Sequence, residues 1–156
     1  MFENKNKKEK NENKITESEA YKLIKEWGED LELRLAGDDL EELQKELWRA
    51  VVSERLSYNS ETEKFSYVLK KPIEKKDGSG SISMIQIQET DMQQKRDIKK
   101  MKDDIDTMVE FFKAYCRDSE GNEIQPGFLL RIKDRDQSII SAVILGFFVQ
   151  VVPGKK

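Results

Sequence analysis

The sequence predicts an α+β fold, mostly α: an N-terminal helical pair, one β-hairpin, a long helix and an apolar C-terminal helix. Three observations carry that expectation. Capping-box signals precede apolar residues at helical spacing before residue 60. A strand–turn–strand pattern runs from Phe65 to Asp91, and an apolar seam at alternating three- and four-residue steps follows it.

Residues 1–14, MFENKNKKEKNENK, lack the apolar core of a signal peptide and read as a disordered, solvated polar tail. Thr16 to Glu19 has the capping-box pattern, and Ala20, Leu23, Ile24, Trp27 and Leu31 recur at helical spacing, so a first helix is expected from about 17 to 27 or beyond. Leu31, Leu33 and Leu35 fit strand alternation, while Leu31 and Leu35 also fit a continued helix, which is the favoured reading. Gly37 interrupts the pattern. Asp38 with Glu41 repeats the capping signal, and Leu40, Leu43, Leu47, Trp48 and Val51 line a second helix ending near Ser57. Together these form an αα-hairpin, a helical extension over residues 15–60.

Residues 61–152 form the hairpin-plus-helices unit. After the polar connection YNSETEK, Phe65, Tyr67 and Leu69 alternate with Ser66, Val68 and Lys70 in a half-buried strand that Pro72 ends. Asp77-Gly78 supplies turn chemistry, and the second strand runs from Ser81 to Gln88. There the apolar phase shifts: Ile82 and Met84 face one way, Ile85 and Ile87 the other, which implies a bulge or two-sided burial. Because an isolated hairpin is marginal in water, it must lean on a helix or a partner. Thr90 with Gln93 caps a helix over about 91 to 117, with Ile98, Met101, Ile105, Met108, Phe112 and Tyr115 as its seam and Cys116 on a helix face. A short apolar turn around Phe128, Leu129, Leu130 and Ile132 follows. Asp134 or Asp136 then starts the last helix, which has no charged residue from Gln137 to Gly154.

The chemistry is bounded mostly by what is missing. With no histidine, the commonest general base and metal ligand is absent, and Cys116 alone forms neither an intrachain disulfide nor a thiolate zinc site. Charged residues make up 38% of the chain, but 28 basic against 31 acidic side chains give no broad field for phosphates, so nucleic acid is not an expected partner. Asp103, Asp104, Asp106 and Glu110 lack EF-hand spacing and read as a solvated face, and the Gly/Ser run at 78–81 lacks the Gly-Lys-Ser/Thr ending of a phosphate loop. The strongly apolar stretch Ile139 to Val152 falls short of the roughly 20 residues of a membrane span. The expectation is a non-enzymatic protein without cofactor or metal. Ile98, Met101, Ile105, Met108 and Phe112, with Ile140, Ile144, Phe147 and Phe148, are the candidates for a core or partner-binding surface. The Met/Phe part of the seam suits an amphipathic helix wherever it stays open.

Leu69-Lys70-Lys71-Pro72-Ile73, Asp77-Gly78, Ile82, Ile85 and Ile87, Glu89-Thr90-Asp91-Met92, and later Lys133-Asp134-Arg135-Asp136 leading to Ile139, Ile140, Val143 and Phe147-Phe148, come in an order that resembles the tail assembly chaperone family of long-tailed bacteriophages. The resemblance covers about residues 65–150. Gln88-Glu89-Thr90 stands where that family often has a basic-x-Pro, and the first 64 residues have no counterpart in it. The resemblance implies a phage or prophage assembly factor in the bacterial host cytoplasm. Such a factor binds the tape measure protein, keeps it soluble and helps recruit tail-tube protein, with self-association possible. Two alternatives stand beside it: a structural tail or connector subunit joined by strand addition at the hairpin edge, and a tail-anchored membrane protein.

Overall fold

The computed structural model describes residues 15–74, 80–91 and 104–149. The Asp77-Gly78 turn, Met92, the Gln93 cap, Ile98 and Met101 lie outside the described residues, as do both chain ends. Five helices and a four-stranded antiparallel sheet of order β1-β2-β3-β4 make up the described fold, the mostly helical α+β class that the sequence predicts.

Helix α1 is Glu17–Asp30, and its capping box is complete. Thr16 N donates to Glu19 Oε1 at 3.0 Å, and Glu19 N donates to Thr16 Oγ1 at 3.1 Å. Contrary to the favoured reading of Leu31–Leu35, the helix stops at Asp30, and Glu32 turns the chain in the left-handed region at φ 61°. Helix α2 is Gly37–Val52, packed on α1, with Gln44 Nε2 donating to Tyr21 O at 2.9 Å. Its N-cap is Ala36, without a side-chain hydrogen bond, so the Asp38/Glu41 capping box expected there does not form.

Helix α2 also ends before Ser57. Glu54 adopts φ 62° and redirects the chain into strand β1, Leu56–Asn59, which pairs antiparallel with strand β2, Lys64–Glu74. The segment expected to be a polar connection is therefore partly strand. Asn59 makes the reversal by accepting from Glu61 N at 2.9 Å and Thr62 N at 3.2 Å through its side chain, and Glu63 completes it at φ 56°.

Strand β3, Ser81–Ile87, completes the expected hairpin. The register passes from Val68↔Met84 to Ile73↔Ile82, so β2 carries extra residues opposite Ser83. This bulge absorbs the phase break, so that Ile82 on one side of it and Ile85 and Ile87 on the other are all buried. Pro72 does not end the strand. It sits in the bulge, and pairing resumes at Ile73 and Glu74.

Helix α3, Asp104–Tyr115, is shorter than expected at its C-terminal end. Cys116 and Arg117 form strand β4, pairing with Ile87 and Gln86, and Cys116 is buried in the sheet rather than on a helix face. Arg117 Nη1 closes the helix end by donating to Lys113 O at 3.0 Å and Cys116 O at 2.8 Å. The apolar turn after it is helix α4, Pro126–Leu129. Helix α5, Asp134–Val143, runs on into a π-helical turn, Ile144–Phe148, where Val149 N donates to Ile144 O at 2.9 Å.

One hydrophobic cluster includes side chains from all four strands and all five helices. Phe65 stands at its centre: its ring lies 5.7 Å from that of Trp27, 4.7 Å from Tyr58 and 4.7 Å from Phe147. The hairpin thus leans on helices, with α5 packed against β2. The flank of β2 beyond β1 is tied to side chains instead of a strand. Arg55 Nη1 donates to Val68 O at 3.3 Å, Asp136 accepts from Lys70 N and Lys71 N, and Arg131 Nη1 donates to Glu74 O at 2.8 Å.

Candidate partner-binding site

Helix α5 buries Ile140, Val143, Ile144 and Phe147, a stripe at helical spacing. Asp136 falls on that same stripe one turn earlier and is fully buried. Its Oδ1 accepts from Tyr67 Oη at 2.6 Å and Lys70 N at 3.0 Å, and its Oδ2 from Lys71 N at 3.1 Å. A buried carboxylate requires such donors, and these include the bulge amides that no strand partners. Burial, followed by the hydrogen bond to Asp136, pushes the Tyr67 hydroxyl pKa well above its ordinary value.

At the other end of α5 the π turn presses on α2. A Cβ placed on Gly146 would lie 2.5 Å from Leu43 Cδ1 and 2.9 Å from Leu43 Cδ2, so any side chain there requires Leu43 to shift. Asp136 and Gly146 together hold α5 at both ends, and with it one wall of a cleft of about 190 Å³ between α3 and α5. Thr107, Met108, Phe111 and Phe112 line it from α3, and Ser141, Ile144 and Leu145 from α5.

The sequence candidates divide around this cleft. Phe112, Ile140, Ile144 and Phe147 lie inside the core, and Phe148 is half-buried, its ring 5.9 Å from Tyr115. Ile105 is 64% exposed and Met108, which lines the cleft, 43%. Phe111 and Leu145, the latter 56% exposed, belong with the open set, although sequence reasoning did not single them out. In so apolar a stretch as Ile139 to Val152, position alone does not separate Leu145 from its buried neighbours. Asp136 did carry a signal: it is the one charged residue on the Ile140–Phe147 stripe.

Behind the cleft, the Tyr115 ring stacks between Phe111 at 6.4 Å and Phe148 at 5.9 Å, and among the described residues its hydroxyl has no hydrogen-bond partner. Its pKa is pushed up by burial, as is that of the Cys116 thiol, on which the nearby Arg117 charge acts in the opposite direction. Among the described residues no group of three His, Cys, Asp or Glu side chains is placed to hold a metal ion. No described helix is long and apolar enough to cross a membrane. Among the described residues the arrangement offers an apolar contact surface.

Comparisons of the chain with protein-family models, with curated proteins and with solved structures find no match.

Proposed function

We propose that this protein is a non-enzymatic tail assembly chaperone of a phage or prophage. It binds the tape measure protein in the bacterial cytoplasm, keeps it soluble, and helps recruit tail-tube subunits. The observation that carries the reading is the division of the apolar seam. Phe112 of the seam fills the core with Ile140, Ile144 and Phe147 of the last helix, while Met108 and Leu145 stay exposed at a cleft and Ile105 is exposed on the same helix as Met108. Exposed apolar side chains gathered at a concave surface mark a protein-binding site more often than scattered ones do. Methionine suits a surface that accommodates varied helical sequences.

The order of motifs from Leu69 to Phe148 supports the same reading. The hairpin, the helix of the seam and the Asp-started apolar helix occur in the order that the resemblance implies.

Co-expression with a phage tape measure protein tests the proposal. The client is expected in the soluble fraction only when this chain is present, and the chain is expected to be absent from purified particles by mass spectrometry. A client equally insoluble with and without it overturns the reading.

A further inference from the structure

We infer that the π turn at the end of α5 is a register switch, exchanging with an α-helical register in which the Phe148 ring leaves its seat against Phe65 and Tyr115. The exchange is a property of the fold and does not depend on the chaperone reading.

Two costs meet at this turn. The first lies in the backbone. Helix α5 is α-helical as far as Val143, and Ile144–Phe148 then closes with Val149 N donating five residues back to Ile144 O. Single π turns are rare, and they persist where side-chain packing compensates for them. The second cost is the Tyr115 hydroxyl. It is buried, its ring lies between Phe111 and Phe148, and among the described residues it has no hydrogen-bond partner. A hydroxyl buried in this way forfeits the hydrogen bonds that water gives it in the unfolded chain.

Packing explains why the π turn forms in spite of both. Neighbouring side chains on an α-helix project about 100° apart, yet the rings of Phe147 and Phe148 both reach Phe65, at 4.7 and 5.8 Å. The wider π turn advances less per residue. Over Ile144–Phe148 it carries Phe148 back by some tens of degrees toward the buried stripe of Ile140, Val143 and Phe147. There the ring gains Phe65 and the stack on Tyr115 at 5.9 Å. An α register gives up those contacts, restores the ordinary helical hydrogen bonds, and uncovers one face of Tyr115 so that water reaches its hydroxyl. One motion thus relieves both costs and brings the two registers close in free energy. It also reshapes the cleft between α3 and α5. Ile144 and Leu145 belong both to the turn and to the cleft wall, and Phe111 both to that wall and to the Tyr115 stack.

Relaxation-dispersion NMR on the full, isotope-labelled chain tests the switch. Exchange on the microsecond-to-millisecond scale of helix register shifts is expected at the amides of Leu145 to Val149, with a minor state of about 0.5–10%. The Leu43 methyl groups, which face Gly146, are expected to report the same exchange. Tyr115→Phe removes the hydroxyl that only the α register satisfies, and is expected to lower the minor population by about fivefold or more while raising the midpoint of urea unfolding. Phe148→Leu weakens the aromatic seat and is expected to raise that population by a similar factor. Absence of exchange at these amides, or exchange that either variant leaves unchanged, overturns the inference. So does a Tyr115→Phe protein less stable than wild type, because the hydroxyl then has a partner in the native register.

Discussion

The Asp136 carboxylate lies 2.6 Å from the Tyr67 hydroxyl, joining the first turn of the last helix to the middle of the hairpin across 69 residues of sequence. The same carboxylate holds two amides of the β2 bulge, so a single side chain fixes the strand irregularity and the position of α5 together.

Asp136→Ala removes the acceptor for three donors, two of them backbone, inside the fold. Breaking a buried, charge-assisted network costs about 3–5 kcal/mol, enough to unfold a marginal domain. Tyr67→Phe keeps the ring and both amide contacts and is expected to cost about 1.5–3 kcal/mol. Urea unfolding of both variants checks the order. A Tyr67→Phe protein less stable than Asp136→Ala contradicts the assignment of the carboxylate as the hub.

Gly146→Ala places a methyl group against Leu43, which is itself only 5% exposed and has little room to retreat. The expected loss is about 1–3 kcal/mol from overpacking, beyond the small change in helix propensity that favours alanine. Leu43→Val in the Gly146→Ala background is expected to recover part of it, giving a coupling of about 1 kcal/mol in a double-mutant cycle. Strict additivity removes the contact from the account.

Burial raises the Cys116 thiol and the Tyr67 and Tyr115 hydroxyls above their ordinary pKa values, so each group is held neutral in the native state. The unfolded chain releases these protons first. Stability from each group is thus complete below its unfolded pKa and declines as pH rises from there toward the native value, by up to about 1.4 kcal/mol per pH unit per proton. The decline starts near pH ~8.5 through Cys116 and steepens above ~10 as the tyrosines join. Cys116→Ala is expected to flatten the first part of that slope in urea titrations between pH 8 and 10. The wild-type thiol should react with maleimide only after denaturation.

Glu32, Glu54 and Glu63 all adopt positive φ, where a side chain is strained. Glu54→Gly and Glu63→Gly are each expected to raise stability by about 0.5–1 kcal/mol, the relief outweighing the added freedom of the unfolded chain. Thermal melts showing a loss at both sites would count against the left-handed conformation.

These three glutamates also show why part of the fold was hidden in the sequence. Turns after helices and between strands are recognised by Gly, Asn or Asp, and glutamate gives no such signal. Without such a signal the apolar pattern predicts continued helix after Asp30, an α2 that runs on toward Ser57, and a connection where β1 lies. The Thr16/Glu19 capping box, the alternation at Phe65, Tyr67 and Leu69, and the phase break between Ile82 and Ile85 were legible because each expresses a local rule of period or capping. Strand β4 was not, because two residues, Cys116 and Arg117, carry no period, and only their contact with Gln86 and Ile87 makes them strand. At the cleft, the seam identified the right helices but not their open sides. Ile144 and Leu145 differ only in what the rest of the chain places against them.

The unpaired flank of β2 bears on how copies of this chain meet one another. Pro72 has no N–H to offer, Lys70 and Lys71 N–H point to Asp136, and the carbonyls of Val68 and Glu74 already receive arginine. An incoming strand finds these groups already engaged, so growth of the sheet from molecule to molecule is opposed along that stretch of β2. Crowding many copies together then favours contact through helix side chains, which is reversible, over the stacking of backbones, which is not.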